Sequence, residues 1–542
     1  MVLGALKMPR FLARFSLIFL AANCLFGQAV IYSVYNSASW RTAGLPGAGI
    51  AQGSIFTILG KGLGPWTIIQ QPVPLPTNVN GTSVSVTVGG QTFDAPIMLA
   101  WYPQINAIMP SGTPAGTGTI TVITNSEPST AYPVQIVPSA VGLYSAENGA
   151  GQASATDGHY HLNMITNTLH PGDYAILWGT GLGAIDASDA NTPPVASVGA
   201  PVTVHVGNGD VSPYYAGRSA SYPGLDQIIF QVPPGIEGCY VPVAVENGGV
   251  VSNVATIAVS SSGATCSDSI LGPDLIGKLA SGTTVSFAYL RLESSFPRFG
   301  SYSGTENSDF FYGTFSQFPR YTVSSASYGV SPGYCVAGAA AGVGLSDQSP
   351  AQLDAGTTLT LVGQGTVVIP MSSTAPGHGL YSAYSNGWRF LSSGLNYTVS
   401  GQGGAAVGAF SVSGTTGAAS VNLAGIANGQ TVSRDSDFTV QWTGEDPDLQ
   451  NGQVTIMAYS ANGLVTSSVQ CTTPAAAHSF TIPRWVLATL PAGAAPEAVG
   501  ANYMTGSIQI GQYNRPVTFQ AQGLDRGIVT DIMFNGVYVN FQ

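Results

Sequence analysis

Charge is what this chain has least of. Only 8% of its 542 residues are Asp, Glu, Lys or Arg, against about 25% in an ordinary soluble domain. Lysine occurs three times, at Lys7, Lys61 and Lys278. A surface so poor in ions must be covered by Ser, Thr, Asn, Gln and Gly, which fits an extracellular β protein better than a cytosolic enzyme. No basic patch is present and the formal charge is −11. Such a chain repels phosphate backbones, so nucleic acid is excluded as an expected partner. Past residue 29 no run of about 20 apolar residues occurs, so no later segment is expected to cross a membrane as a helix. No triad-like pattern is evident either: His159, His161, His170, His205, His378 and His478 are scattered along the chain. Paired carboxylates for glycoside cleavage stay open, because 26 acidic residues make chance pairs expected. The reading is a non-enzyme without a cofactor.

Gly and Pro are plentiful. Gly supplies 69 residues, nearly twice the usual ~7%. Their even spread means many turns and many short strands.

Residues 1–29 read as a secretory signal. Lys7, Arg10 and Arg14 form a basic start, and Ser16 to Phe26 is an apolar stretch too short to span a bilayer. Gly27-Gln28-Ala29 places small residues for cleavage before Val30. Removing the three cations takes the formal charge from −11 to −14. A lipid on Cys24 is the alternative, disfavoured by the bulk of Asn23, and a retained anchor is the other. The expected location is secreted or cell surface.

One stretch occurs twice, 119 residues apart. Ile58-Leu59-Gly60-Lys61-Gly62-Leu63-Gly64 and Leu177-Trp178-Gly179-Thr180-Gly181-Leu182-Gly183 are each an apolar strand running into G-x-G-L-G. After a lead-in from Val30 to about Pro46, the strands that follow match in order. Ser54–Leu59 parallels Asp173–Trp178, and Val84–Gly89 parallels Val202–Gly207. Gln104–Pro110 parallels Gln227–Pro233, and Thr130–Val137 parallels Ser252–Val259. The offsets are 118 to 123, so a unit of about 120 residues is duplicated. About seven short alternating strands per unit, with no helical period, predict an immunoglobulin-type β-sandwich. The glycines Gly60, Gly62, Gly64, Gly179, Gly181 and Gly183 are read as structural turns. A phosphate loop needs a helix start after the glycines, and Pro65-Trp66 follows instead.

Three of these features resemble the duplicated module of an uncharacterised family of secreted acidobacterial proteins. They are G-x-G-L-G after a strand, Q-I-x-x-x-x-P at Gln104 and Gln227, and S-N-x-A-T-I-x-V from Ser252 to Val259. The modules are similar to IPT/TIG domains, immunoglobulin-like folds of cell-surface proteins. The match runs from about Gly49 to Asp268 and implies fold and export, with no assigned activity. Leu353-Asp354-Ala355-Gly356, Val407-Gly408-Ala409-Phe410, Trp442-Thr443-Gly444 and Gly523-Leu524-Asp525 resemble the tail that follows the paired modules in some members.

The expected organisation is a signal peptide over 1–29, a first module over 30–140, a second over 141–268, and a C-terminal β region over 269–542. That region is cut as one unit or as 269–425 and 426–542, with a seam near Ser420 to Asn428. Phe438–Trp442 and Val454–Tyr459 read as a hairpin. Pro483 to Leu490 is the one helical candidate, with Pro at its first position. The closing stretch Gly536–Gln542 reads as a sandwich strand rather than the end of a membrane barrel.

Candidate chemistry is sparse. Asp157-Gly158-His159-Tyr160-His161 sets three metal-ligand types at alternate positions, but a turn with exposed histidines is favoured. Glu445 to Gly452 could hold Ca²⁺ through Asp446 and Asp448, although the spacing fails the EF-hand pattern and a solvated tip is favoured. No metal is therefore assigned. Trp66 and Trp388, in Gly/Pro-rich loops, are the candidate ligand-binding residues, because an exposed indole stacks on sugar rings.

Four cysteines remain after cleavage: Cys239, Cys266, Cys335 and Cys471. An even number in an exported chain predicts two disulfides. Asn247-Gly248-Gly249 is a turn, and counting outward from it sets Val259 beside Cys239, give or take two residues. Cys266 lies seven residues further on, a tail of up to about 23 Å, so it reaches back to Cys239. Cys335 and Cys471 pair by elimination. The fold expected is all-β, with tandem immunoglobulin-like sandwiches and a larger sandwich-type C-terminal region. The function expected is an exported structural or adhesive cell-surface protein. An extracellular carbohydrate-binding protein is the alternative, with a cell-surface glycan or another surface protein as partner, and an extracellular hydrolase is a distant third.

Overall fold

The computed structural model describes residues 28–197, 200–266, 270–295, 308–318, 330–339, 351–371, 379–385, 389–417, 421–445, 453–462, 465–493 and 506–542. Residues 1–27 of the expected signal, His378, Trp388 and residues 446–452 with the candidate Ca²⁺ ligands lie outside them.

Alternation explains the first sandwich. In the strand Thr82–Val88 the residues Thr82, Val84, Val86 and Val88 are buried, while Ser83, Ser85 and Thr87 are half-buried, as the two-residue period of a strand requires. Their sheet runs Ile50–Ala51, Tyr132–Val137, Gly116–Thr124, Thr82–Val88, Asn78–Val79. The facing sheet runs Val30–Asn36, Ile55–Lys61, Gln104–Ile108, Ile97–Trp101, Ile69–Gln70. Phe56, Ile58, Ile105, Ile120 and Ile136 fill the space between them. The expected lead-in is itself partly strand: Val30–Asn36 pairs antiparallel with Ile55–Lys61.

The second sandwich repeats this plan. One sheet is ordered Gly142–Leu143, Tyr174–Thr180, Asp226–Gln231, Tyr215–Arg218, and the other contains Val202–Val206, Gly238–Asn247 and Ala255–Val259. The repeated glycines sit at matching places. Gly62 and Gly181 have φ of +70° and +110°, a region that other residues enter only with strain. Gly60 and Gly179 answer a different need. A side chain on Gly60 would collide with the Val30 carbonyl, and one on Gly179 with the Gly142 carbonyl. These two are therefore not the turn residues expected from sequence: they lie inside the strands Ile55–Lys61 and Tyr174–Thr180, paired with Ile31 and Leu143 of the neighbouring strand.

Beyond residue 270 the described residues form one 11-stranded sheet and two small ones. The large sheet runs Tyr334–Ala339, Thr466–Pro474, Gln453–Ala461, Gly506–Tyr513, Arg526–Phe541, Val285–Ser295, Ser308–Phe318, Ala351–Gln352. A four-stranded sheet containing Thr358–Val362 and Asn396–Gly401 packs on one half through Leu290, Phe315, Leu359 and Val399. A three-stranded sheet containing Phe438–Thr443 packs on the other half through Val440, Trp442, Ile456 and Ile508. The strand Arg526–Phe541 serves both, with Val529 in the first core and Val539 and Phe541 in the second. Asn422–Ala424, within the expected seam, is itself a strand of the three-stranded sheet, and the large sheet runs through both halves.

Two local expectations are corrected. Phe438–Thr443 and Gln453–Ala461 are not a hairpin, because the first pairs in the three-stranded sheet and the second in the large one. Both strands alternate, and alternation says nothing about which sheet a strand joins. The helical candidate shrinks to Arg484–Leu487, with Pro483 as an extended N-cap. A longer helix, Gly272–Ala280, was not anticipated. Gly272-Pro273 at its start reads as a turn signal, and Gly277 weakens its helical pattern.

The Sγ atoms of Cys239 and Cys266 are bonded, as are those of Cys335 and Cys471. The hairpin register pairs Gly238 with Val259. Cys335 and Cys471 face each other directly across paired strands of the large sheet.

Candidate functional site

Several of the scarce ions lie where units meet. Arg218 ends the strand Tyr215–Arg218 and is buried. Its Nη1 donates to Asp226 Oδ1, and its Nη2 donates to the carbonyls of Gly183 and, at 2.8 Å, of Gly53 in the first sandwich. Asp226 is itself fully buried and accepts the Leu182 N–H at 2.8 Å. Burying a guanidinium and a carboxylate is tolerable only when both are paired and hydrogen-bonded, as here. Around this pair, Ile55 N–H donates to Thr180 Oγ1 at 2.8 Å, and Asn36 Nδ2 donates to Ala140 O at 2.9 Å. Ser111 donates to Asp189 through both N–H and Oγ, at 2.7 and 2.8 Å. Burial pushes the Asp189 carboxyl up, against the lowering effect of the two Ser111 bonds and of Arg218. Arg41 bridges the same units by donating to Val251 O and Ser252 O, each at 2.7 Å. Its burial lowers the guanidinium pKa to about 10.

The second sandwich meets the C-terminal region differently. Ile165, Cys239, Tyr240, Ala258 and Cys266 form one apolar cluster with Leu275, Ile276 and Leu279 of the helix Gly272–Ala280 and with Phe287 and Ile528 of the large sheet. Polar groups flank this joint. His205 is fully buried, with Nδ1 2.6 Å from Asp210 and Nε2 3.2 Å from Glu246. Its ring stacks on Trp485 at 5.1 Å, and Arg484 Nη2 donates to the same Glu246 at 3.3 Å.

The residues named from sequence do not converge. Trp66 is 74% exposed, and one face stacks on Tyr102 at 4.0 Å with the rings 8° from parallel. Trp388 lies outside the described residues. Asp157 caps its own turn: Oδ1 accepts the N–H of His159 and of His161 at 2.8 and 2.9 Å, and Oδ2 meets His161 Nδ1 at 3.0 Å. Burial acts to raise the Asp157 pKa, and the bonds from His161 and His159 outweigh it. A carboxylate so engaged is a structural cap. Among the described residues, no group of three or more His, Cys, Asp or Glu is placed to hold a metal.

Sequence reading missed Arg41, Asp189, Arg218 and Asp226. Scarcity was the available signal: with 8% charge overall, an arginine closing a strand pattern at Gly217-Arg218 needs a reason. It also missed the exposed aromatics of the second module. Tyr174 and Tyr214 meet edge-on at 5.9 Å, and Tyr160 lies 6.3 Å from Trp178.

No family model matches the chain, and no curated protein does. The titin domains A168–A170 are 10% identical over 70% of this chain and 94% of theirs, with a TM-score of 0.14. Domains 4–9 of the surface layer protein SbsC are 12% identical over 94% and 82%, at 0.16. The ICAM-5 D1–D4 ectodomain fragment is 11% identical over 91% and 97%, at 0.14. Scores this low carry no argument, so the all-β class rests on the chain's own ladders.

Proposed function

We propose that this is an exported structural or adhesive cell-surface protein, with modules at 30–140 and 141–268 held in fixed relation to a C-terminal region from 269 to 542. The observation that carries the reading is the buried Arg218–Asp226 pair. Both ions belong to the second sandwich, and the pair fixes the guanidinium so that Nη2 reaches the Gly53 carbonyl of the first. The two disulfides support an oxidising, extracytoplasmic location. The test is surface labelling together with an attachment assay. Intact cells that make the chain should bind an antibody against the first two modules and should lose attachment on its deletion. A chain retained in the cytoplasm, or attachment unchanged by deletion, would overturn the reading.

A second reading is carbohydrate binding at Trp66, favoured by the stacked pair with Tyr102, which leaves the other indole face open. Glycan binding that disappears in Trp66→Ala, with folding unchanged, would support it.

A further inference from the structure

Where the four-stranded sheet gives way to the three-stranded sheet, the middle of the strand Arg526–Phe541 borders a cleft of about 380 Å³. Ser294, Gln364, Arg389, Ser392, Ser393 and Asn535 supply its polar wall, and Leu391, Met533 and Phe534 its apolar one. The size lies within the range of small-ligand pockets, about 300–1,000 Å³.

The guanidinium of Arg389 is held rigidly. Nε donates to Asp309 Oδ1 at 2.8 Å, and Nη2 donates to Ser294 Oγ at 2.7 Å. Asp309 is fully buried, and its other oxygen accepts the N–H of Phe390 and of Leu391 at 2.7 and 2.9 Å. The cation is thus already neutralised by a fixed carboxylate, and the wall presents no net positive charge to an anion. Several groups stay unused among the described residues. Nη1 of Arg389 has no protein acceptor. Gln364 donates through Nε2 to Ser392 at 2.8 Å, which leaves Oε1 without a donor and the Ser392 hydroxyl hydrogen without an acceptor. Asn535 uses Nδ2 on Val421 O and Asn422 Oδ1, which leaves its own Oδ1 without a donor.

The cleft therefore offers two donors and two acceptors beside an apolar wall, with no net charge. A ligand matched to that set carries groups that both donate and accept, on a ring with an apolar face. We propose that this cleft binds one ring of a neutral sugar. Hydroxyl pairs would engage Arg389 Nη1 with Gln364 Oε1 and Ser392 Oγ with Asn535 Oδ1, while C–H groups lie against Met533 and Leu391. This site is independent of Trp66.

The test is saturation-transfer NMR and calorimetry on the full chain. The probes are methyl glycosides of glucose, galactose, mannose and N-acetylglucosamine, with glucuronate and inorganic phosphate as anionic probes. At least one neutral glycoside should bind through its ring C–H groups. Affinity should fall roughly five-fold in Gln364→Ala, the loss of one hydrogen bond, and should vanish in Ser393→Tyr, which fills the cleft. Both are exposed positions, so the melting curves should match the parent, and Trp66→Ala should bind as before. Arg389→Ala is avoided because it strands the buried Asp309. The proposal is overturned if no neutral glycoside binds, if phosphate or glucuronate binds better, if binding survives Ser393→Tyr, or if Trp66→Ala abolishes it.

Discussion

At the scale of single residues, buried polar groups set the sharpest expectations. Arg218→Ala leaves the Asp226 carboxylate buried without its cation, a loss of about 3–5 kcal/mol. Arg218→Lys should recover only part of it, because an ammonium cannot fork to Asp226, Gly53 and Gly183 at once. Urea unfolding of the three proteins measures both, and a loss under about 1 kcal/mol in the alanine variant would show the carboxylate finding water. Asp531 gives a pH signature. Burial pushes its carboxyl up, against hydrogen bonds that include the Gly417 N–H at 2.8 Å. A folded pKa above the unfolded value means stability is full below the ordinary carboxylate pKa and declines as pH rises through the folded one. Asp531→Asn removes that decline, so its melting temperature relative to the parent should climb between pH 4 and pH 7. A difference that stays flat, or shrinks, contradicts the assignment. The paired glycines can be ranked. Gly62→Val should lose about 1–3 kcal/mol through backbone strain. Gly181→Val should lose more, since its side chain would also strike the Ala140 carbonyl.

At the scale of elements, the two disulfides close loops of different length. In the chain-entropy model a sequence separation of 27 is worth about 3–4 kcal/mol and one of 136 about 5 kcal/mol. Cys335→Ser with Cys471→Ser should therefore destabilise more than Cys239→Ser with Cys266→Ser, as read by chemical unfolding of each pair. Reversed ranking would show that the Cys239–Cys266 bond, inside the apolar joint, contributes packing beyond loop closure. Much of this level was legible beforehand. The duplicated sandwich could be read because Val84, Val86 and Val88 alternate with polar residues and because the strand running into G-x-G-L-G recurs at Gly60 and Gly179. The hairpin at Asn247-Gly248-Gly249 could be read because its turn residues fix the register. Sheet membership could not. Phe438–Thr443 and Gln453–Ala461 both put apolar residues into the same core, and only their pairing separates them, the first with Asn422–Ala424 and Ser479–Ile482, the second with Thr466–Pro474 and Gly506–Tyr513. The helix Gly272–Ala280 was hidden because its stability comes from burying Leu275, Ile276 and Leu279 against two other units.

At the scale of the whole chain, the units are joined by chemistry that local patterns do not show. The first joint is polar, built on Arg218, Asp226, Asp189 and Arg41. The second is an apolar cluster stapled by Cys239–Cys266 and flanked by the His205–Trp485 stack. The partners in each joint lie far apart in sequence, as Gly53 does from Arg218, so their meeting could not be inferred from spacing. These joints should hold the sandwiches in one arrangement, as the proposed load-carrying or adhesive role requires. Small-angle X-ray scattering of the purified protein measures this most directly, in parallel for the parent and Arg218→Ala. The parent curve should fit this single arrangement, and Arg218→Ala should require a spread of angles between the first two sandwiches. A parent curve that already requires such a spread would contradict it.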